Sequence, residues 1–138
     1  MKLKVYSDGA SRGNPGVSAI AYVILDEEKR ILKKESAYLG VRTNNQAEYE
    51  ALLSALQSAS EFDGDEVECY LDSELVVKQL NGQYKVRNET LRVLWFKVQD
   101  YKQGFMKISF TYIPRTNPQI QEVDRLANLA LDGIKKRL

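Results

Sequence analysis

The sequence has no histidine and one cysteine, Cys69. Without histidine, imidazole general bases, serine–histidine–aspartate triads and most catalytic zinc sites are excluded together. A lone cysteine excludes an intramolecular disulfide and a cysteine-rich zinc site. Its place in the run Val67-Glu68-Cys69-Tyr70-Leu71 predicts burial in a strand rather than reactive chemistry. An excess of charge is lacking too: 20 basic and 19 acidic side chains leave a net charge of +1. Bulk attraction to nucleic acid is therefore excluded, and any such binding needs locally placed positive charge. No segment is long and apolar enough to span a membrane, and Met1–Tyr6 alternates without a signal-peptide core. The expectation is a soluble, cytoplasmic protein. Any catalysis must run on carboxylates, lysine, tyrosine, hydroxyls or metal ions.

What is present suits one packed unit. The 138 residues are 43% hydrophobic and 28% charged, a normal globular balance, and a single domain over 1–138 is expected. No internal repeat, low-complexity tract or linker interrupts the chain. Leu3–Asp8 alternates and breaks at Gly9. Val17–Leu25 is rich in β-formers and is opened by the turn Asn14-Pro15-Gly16, and Arg30–Leu39 pairs back onto it. From Asn45 to Phe62, apolar residues at Ala47, Ala51, Leu52, Ala55, Leu56 and Ala59 take helical spacing. A strand over Val67–Leu71 follows, then helices over Ser73–Leu80 and Glu89–Lys102. A strand over Lys107–Ile113 and a helix from Gln121 to the C-terminus complete the chain. The order β-β-β-α-β-α-α-β-α, with the helical crossover returning the fourth strand parallel to an earlier one, predicts an α/β fold: a mixed five-stranded sheet flanked by helices.

Four carboxylates stand at strand ends or helix starts. Asp8 ends the first strand and Asp72 the fourth, so parallel neighbours would bring both to one sheet edge, where open α/β sheets place their sites. Taken singly, Asp8 reads as a turn aspartate before Gly9 and Asp72 as a helix N-cap. Glu48 lies on the apolar stripe of its helix, although Asn45 with Glu48 also fits a capping box. Asp124, early in the last helix, suits the helix dipole, yet shares a face with Ile120, Ala127, Leu131, Ile134 and Leu138. Carboxylates gathered at one edge repel unless a counter-ion joins them. Magnesium or manganese is the expected one, being a hard cation that favours oxygen ligands. Two such ions about 4 Å apart form a clamp for in-line phosphodiester displacement, and this chemistry needs no histidine.

These residues carry a resemblance. Tyr6-Ser7-Asp8-Gly9-Ala10-Ser11-Arg12-Gly13-Asn14-Pro15-Gly16 resembles the opening strand and turn of type 1 ribonucleases H, and Thr43-Asn44-Asn45-Gln46-Ala47-Glu48-Tyr49 their second motif. Leu71-Asp72-Ser73-Glu74-Leu75-Val76, Tyr84-Lys85-Val86-Arg87-Asn88, Ile113-Pro114-Arg115 and Val123-Asp124-Arg125-Leu126-Ala127-Asn128-Leu129-Ala130 follow in the family's order. The resemblance implies a ribonuclease H-like fold and an endonuclease cutting the RNA strand of RNA–DNA hybrids, with 5′-phosphate and 3′-hydroxyl products. It implies Asp8, Glu48, Asp72 and Asp124 as catalytic ligands of two magnesium ions, with manganese as a substitute. It further implies substrate contacts at Gly9, Ser11, Gly13, Asn14, Asn44 and Asn45, with Thr43 in a pocket for a DNA phosphate. Amides donate and accept, which suits them to the 2′-hydroxyl that distinguishes RNA from DNA.

The chain departs from the family in three places. Many members carry a histidine on the loop before the final aspartate; here Arg115 stands nearest and is the expected partial catalytic substitute. The loop Thr116–Gln121 is longer than the usual spacing to that aspartate. The region after Tyr84 lacks a lysine-rich handle, leaving Lys85 and Arg87 to make weaker contacts. A monomer with no obligatory protein partner is expected. The alternatives are another nuclease of the same fold or a non-catalytic hybrid-binding module. Gly9, Gly13 and Gly16 lack the spacing of a dinucleotide fingerprint.

Overall fold

The computed structural model describes residues 1–137, with side-chain surroundings through Gly133. The order is β1 (Lys2–Gly13), β2 (Gly16–Leu25), β3 (Ile31–Arg42), α1 (Asn44–Ala59), β4 (Glu66–Leu71), α2 (Glu74–Leu80), α3 (Glu89–Lys102), β5 (Lys107–Tyr112) and α4 (Pro118–Arg137). The strands form one mixed sheet in the order β3-β2-β1-β4-β5. β1 pairs antiparallel with β2 and parallel with β4, and β5 extends the parallel half. None of the described helices is long and apolar enough to cross a membrane.

Hydrophobic burial on both faces fixes this arrangement. Residues 19–25 of β2 are all buried, because helices cover both sides of the central strands. In β1 the alternation sorts side chains between two cores. Leu3 and Val5 join Leu52, Leu56 and Val98 on the α1–α3 side, whereas Tyr6 and Ala10 pack toward Ile120, Val123, Ala127 and Leu131 of α4. β4 is buried on one face only, through Val67, Cys69 and Leu71. The buried place expected for Cys69 is thus the one it takes.

Several boundaries differ from those read in the sequence. β1 does not break at Gly9; it pairs with β2 as far as Gly13 opposite Gly16. α1 ends at Ala59, with Ser60 as its C-cap, rather than at Phe62. α4 begins at Pro118, three residues before the expected Gln121, because Asn117 caps it: the Asn117 Oδ1 accepts from the backbone N–H groups of Gln119 (2.9 Å) and Ile120 (3.2 Å). The loop before α4 is therefore shorter than expected and closes at Asn117. Ile134 and Leu138 lie outside the residues whose side chains are described.

One contact sets how close α1 comes to the sheet. A Cβ at Gly9 would overlap the Ala47 carbonyl and stand 2.6 Å from the Glu48 backbone nitrogen. These are backbone atoms that cannot rotate away. We expect Gly9→Ala to lower unfolding stability by about 1–3 kcal/mol, the usual cost of overpacking. Urea unfolding of parent and variant measures it, and equal midpoints would show that β1 and α1 do not touch here.

Candidate active site

The parallel register between β1 and β4 places two of the carboxylates side by side. Tyr6 is the partner of Tyr70, and two residues farther along each chain stand Asp8 and Asp72. Neither is accounted for by its local role. Asp8 lies inside a continuous strand, opposite Ala21 of β2, so it is not a turn residue. The N-cap of α2 is Ser73, whose Oγ accepts from the Val76 N–H at 3.3 Å, so Asp72 is not the cap.

Glu48 reaches the same edge from α1. The capping box of this helix is formed by Thr43 and Gln46, two residues before the expected Asn45–Glu48 pair. The Thr43 Oγ1 accepts from the Gln46 N–H at 3.2 Å, and the Gln46 Oε1 accepts from the Thr43 N–H at 2.8 Å. Glu48 is thereby free of capping duty. Its Oε1 accepts from the Gly9 N–H at 3.1 Å, an approach that a side chain at position 9 would block. Its Oε2 is buried with no partner among the described residues.

Carboxylate oxygens of Asp8, Glu48 and Asp72 lie within 4.8 Å of one another. Asp8 is 5% exposed and Glu48 7%. Burial drives the Asp8 pKa well above the carboxylate range, and the charges of Glu48, Asp72 and Asp124 push it further. Burial also raises Glu48, with Asp72 adding to the rise, while Asp8, the Gly9 N–H and Arg115 oppose it. A buried oxygen without a donor, beside two further carboxylates, is unfavourable for the protein alone and favourable once a hard cation sits among them. The acidic triad thus fits divalent metal binding.

Asp124 lines the same cleft but differs from expectation: it is exposed rather than part of the buried stripe, which consists of Ile120, Val123, Ala127 and Leu131. Here the helix presents its flank to the cleft instead of the sheet. Arg115 joins the group through its Nε, which donates to the Asp72 Oδ2 at 3.1 Å; its side chain is 89% exposed, against 5% for Asp72. Gly9, Ser11, Asn44 and Asn45 also line this cleft. Asn14 and Thr43 fall in an adjoining cleft, with Asn45 on the border of both. Gly13 sits outside either, as the exposed last residue of β1, at φ +113°.

Among the polar residues lining these clefts, Ser73, Asn88 and Asn128 carry no role in the sequence reading. Ser73 and Asn128 line the first, and Asn88 lines the second while capping α3 through the Leu91 N–H at 3.0 Å. Asn128 carries a signal that could have found it, since it follows Asp124 by one helical turn.

Comparison with known proteins follows from this geometry. A family model described as "Reverse transcriptase-like" matches residues 6–130. The chain is 40% identical over 131 residues to a curated ribonuclease HI of Halobacterium salinarum, covering 95% of this chain. It spans 65% of that relative's length and 36% of the mycobacterial relatives it matches. Among solved structures, ribonuclease H1 of Halobacterium salinarum superimposes with a TM-score of 0.92 at 39% identity, covering 96% of this chain and 99% of that one. A compost-derived ribonuclease H1 in complex with an RNA/DNA hybrid superimposes at 0.88 with 39% identity, covering 96% and 98%.

The electrostatics give a prediction that needs no substrate. Without metal, neutralising one member of the cluster relieves repulsion, as when a site sacrifices stability for function. Asp8→Asn is expected to melt higher than the parent in EDTA, by about 4 °C for roughly 1 kcal/mol. Magnesium should then raise the parent more than the variant, because only the parent keeps the full ligand set. If the variant melts lower in EDTA and magnesium shifts both equally, the carboxylates do not share a metal site.

Proposed function

Because the chain belongs to the type 1 ribonuclease H family, we propose that it hydrolyses the RNA strand of RNA–DNA hybrids, leaving 5′-phosphate and 3′-hydroxyl ends. The observation that carries this reading is the buried Asp8–Glu48–Asp72 triad, with its unpartnered Glu48 oxygen, opening beside the amides of Asn44 and Asn45. The hybrid bound by the compost-derived ribonuclease H1 supports the substrate. In this proposal Asp8, Glu48, Asp72 and Asp124 hold two magnesium ions, which manganese can replace. Bound there, the ions supply an activated water and stabilise the leaving oxygen.

The chain's own groups divide the remaining work. Arg115 stands nearest in sequence to the loop on which many family members carry a histidine, but a guanidinium stays protonated and cannot take up a proton. Its role is electrostatic: it steadies Asp72 and turns its exposed donors toward a phosphate oxygen. The Ser11 hydroxyl contacts the backbone carbonyls of Gly13 and Arg42 (3.1 Å), so its single proton is engaged and its oxygen accepts from the RNA. The Thr43 oxygen accepts at the helix cap, which leaves its proton to donate to a DNA phosphate. The Asn14 Oδ1 accepts from the Asn44 N–H at 3.1 Å, holding the β1–β2 turn against the start of α1 and leaving its NH2 for the minor groove. Gly9 and Gly13 act through the backbone: Gly9 lets α1 close on β1 beside the cleft, and Gly13, at positive φ, turns the chain toward Asn14. Lys85 and Arg87 are exposed and add weak contacts to phosphates, in keeping with a net charge of +1.

A strand-labelled assay on hybrid, DNA duplex and RNA duplex, with magnesium or EDTA, tests this. Internal cuts confined to the RNA strand of the hybrid and dependent on metal are expected. Equal cutting of DNA duplex would overturn the assignment, and binding of hybrid without cleavage would favour the non-catalytic alternative.

Asp72→Asn isolates the ligand charge from the fold. Asparagine keeps the shape, and the lost ion pair has its arginine in solvent, so melting should change little. Turnover should fall roughly 100- to 1000-fold, as when one charge-stabilising group is removed. Near-normal turnover at saturating magnesium would show Asp72 to be structural.

A further inference from the structure

The acidic cluster is supported unevenly. Asp8, Glu48 and Asp72 are packed at the sheet edge, whereas Asp124 is exposed on α4 and has no burial to fix its carboxylate. A free aspartate on a helix surface samples several rotamers, and a metal ligand that does so loses affinity. One side chain removes that freedom. The Asn128 Nδ2 donates both to the Asp124 backbone oxygen at 3.0 Å and to its Oδ1 at 3.3 Å. Asn128 is oriented in turn by Arg12, whose Nη2 lies 3.4 Å from both the Asn128 Oδ1 and its backbone oxygen. Arg12 is itself anchored by an ion pair with Asp132 at 2.7 Å. The guanidinium can only donate, so it selects the Asn128 amide orientation that points the NH2 group at Asp124.

We propose that Asn128, oriented by Arg12, is a positioning residue that presents the Asp124 carboxylate to the metal site. The relay crosses from the far end of β1 to α4, joining the strand that carries Asp8 to the helix that carries Asp124. Partners that hydrogen-bond a ligating side chain commonly govern metal affinity as strongly as the geometry of the ligands. This inference rests on the two-ion reading of the cleft, and the test keeps the two apart.

Manganese binding is measured by calorimetry on the full chain for the parent, Asn128→Ala, Asp124→Asn, the double variant and Arg12→Ala. Two binding events are expected for the parent. Asn128→Ala should weaken one of them roughly tenfold, the low end for loss of a ligand's supporting partner. Asp124→Asn should weaken the same event, and adding Asn128→Ala to it should cost nothing further, since a residue that acts through Asp124 has nothing left to hold. Arg12→Ala should shift the same event in the same direction and to a smaller extent; lying outside the ligand set, it carries the test if Asn128→Ala does not fold. In cleavage assays, the magnesium needed for half-maximal rate should rise while KM for hybrid at saturating magnesium stays unchanged. Unaltered manganese affinity in Asn128→Ala, or equal weakening with and without the Asp124 carboxylate, overturns the inference alone. A parent that binds no manganese overturns it together with the two-ion reading.

Discussion

The site depends on one backbone contact, the approach of β1 to the first turns of α1 at Gly9. With no side chain at that position, the strand comes close enough for its N–H to reach the Glu48 carboxylate. That hydrogen bond joins the sheet edge carrying Asp8 and Asp72 to the helix carrying Glu48. The capping box at Thr43 and Gln46 fixes where α1 starts, and hence how far along it the glutamate falls. A cap shifted by one residue would rotate Glu48 by about 100° and take it out of the cluster. Helix start, glycine contact and parallel register between β1 and β4 therefore act as a single constraint.

What this constraint produces is electrostatically unfavourable in the bare protein. Two buried carboxylates hold raised proton affinities, and the buried Glu48 Oε2 has no donor among the described residues. Ordinary packing does not relieve them. Elsewhere Tyr22 meets both Ser58 and Glu35, and Tyr49 donates to Gln79, while the Ser7 Oγ and Gln99 Nε2 are neutral buried atoms that also lack a partner among the described residues. What distinguishes the Glu48 oxygen is that it belongs to a carboxylate gathered with two others, where a hard divalent cation would supply what the side chains do not. The absence of histidine sharpens the point, since no neutral nitrogen ligand or base is available to share the site.

The parts legible in the sequence were those in which burial leaves a period. Leu3 and Val5 alternate, and α1 repeats its apolar residues at helical spacing, so element order and the mixed sheet could be read. Asp8, Glu48 and Asp72 were legible because each interrupts such an apolar pattern with a carboxylate. The outer half of β1 was not. Ser11, Arg12 and Gly13 remain in strand pairing with β2, but they project beyond the cores, so nothing marks them as apolar or polar in alternation. Hydrophobic period reports burial, not hydrogen-bonded pairing. The burial expected of Asp124 was misread for a related reason: its spacing from Ile120 and Ala127 gives its approximate direction, and only the end of the sheet decides whether core or cleft lies there.

The extension of β1 past Gly9 has a functional consequence as well as a structural one. Because the strand continues, Ser11 reaches the cleft, the turn after it brings Asn14 to the start of α1, and Arg12 reaches α4. A strand ending at Gly9 would deliver Asp8 but leave both the amide-lined rim and the exposed aspartate without support. The same twelve residues thus serve both halves of the cleft. The inner half is rigid, since Asp8, Glu48 and Asp72 are held by packing and register. The outer half rests on side-chain hydrogen bonds in contact with solvent, through Arg12, Asn128 and Asp124. Burial makes the first difficult to displace, whereas water competes for every bond of the second. Adjustment of the cluster to an ion or a phosphate therefore falls on α4, and the strand that anchors the rigid half also limits how far the other half can move.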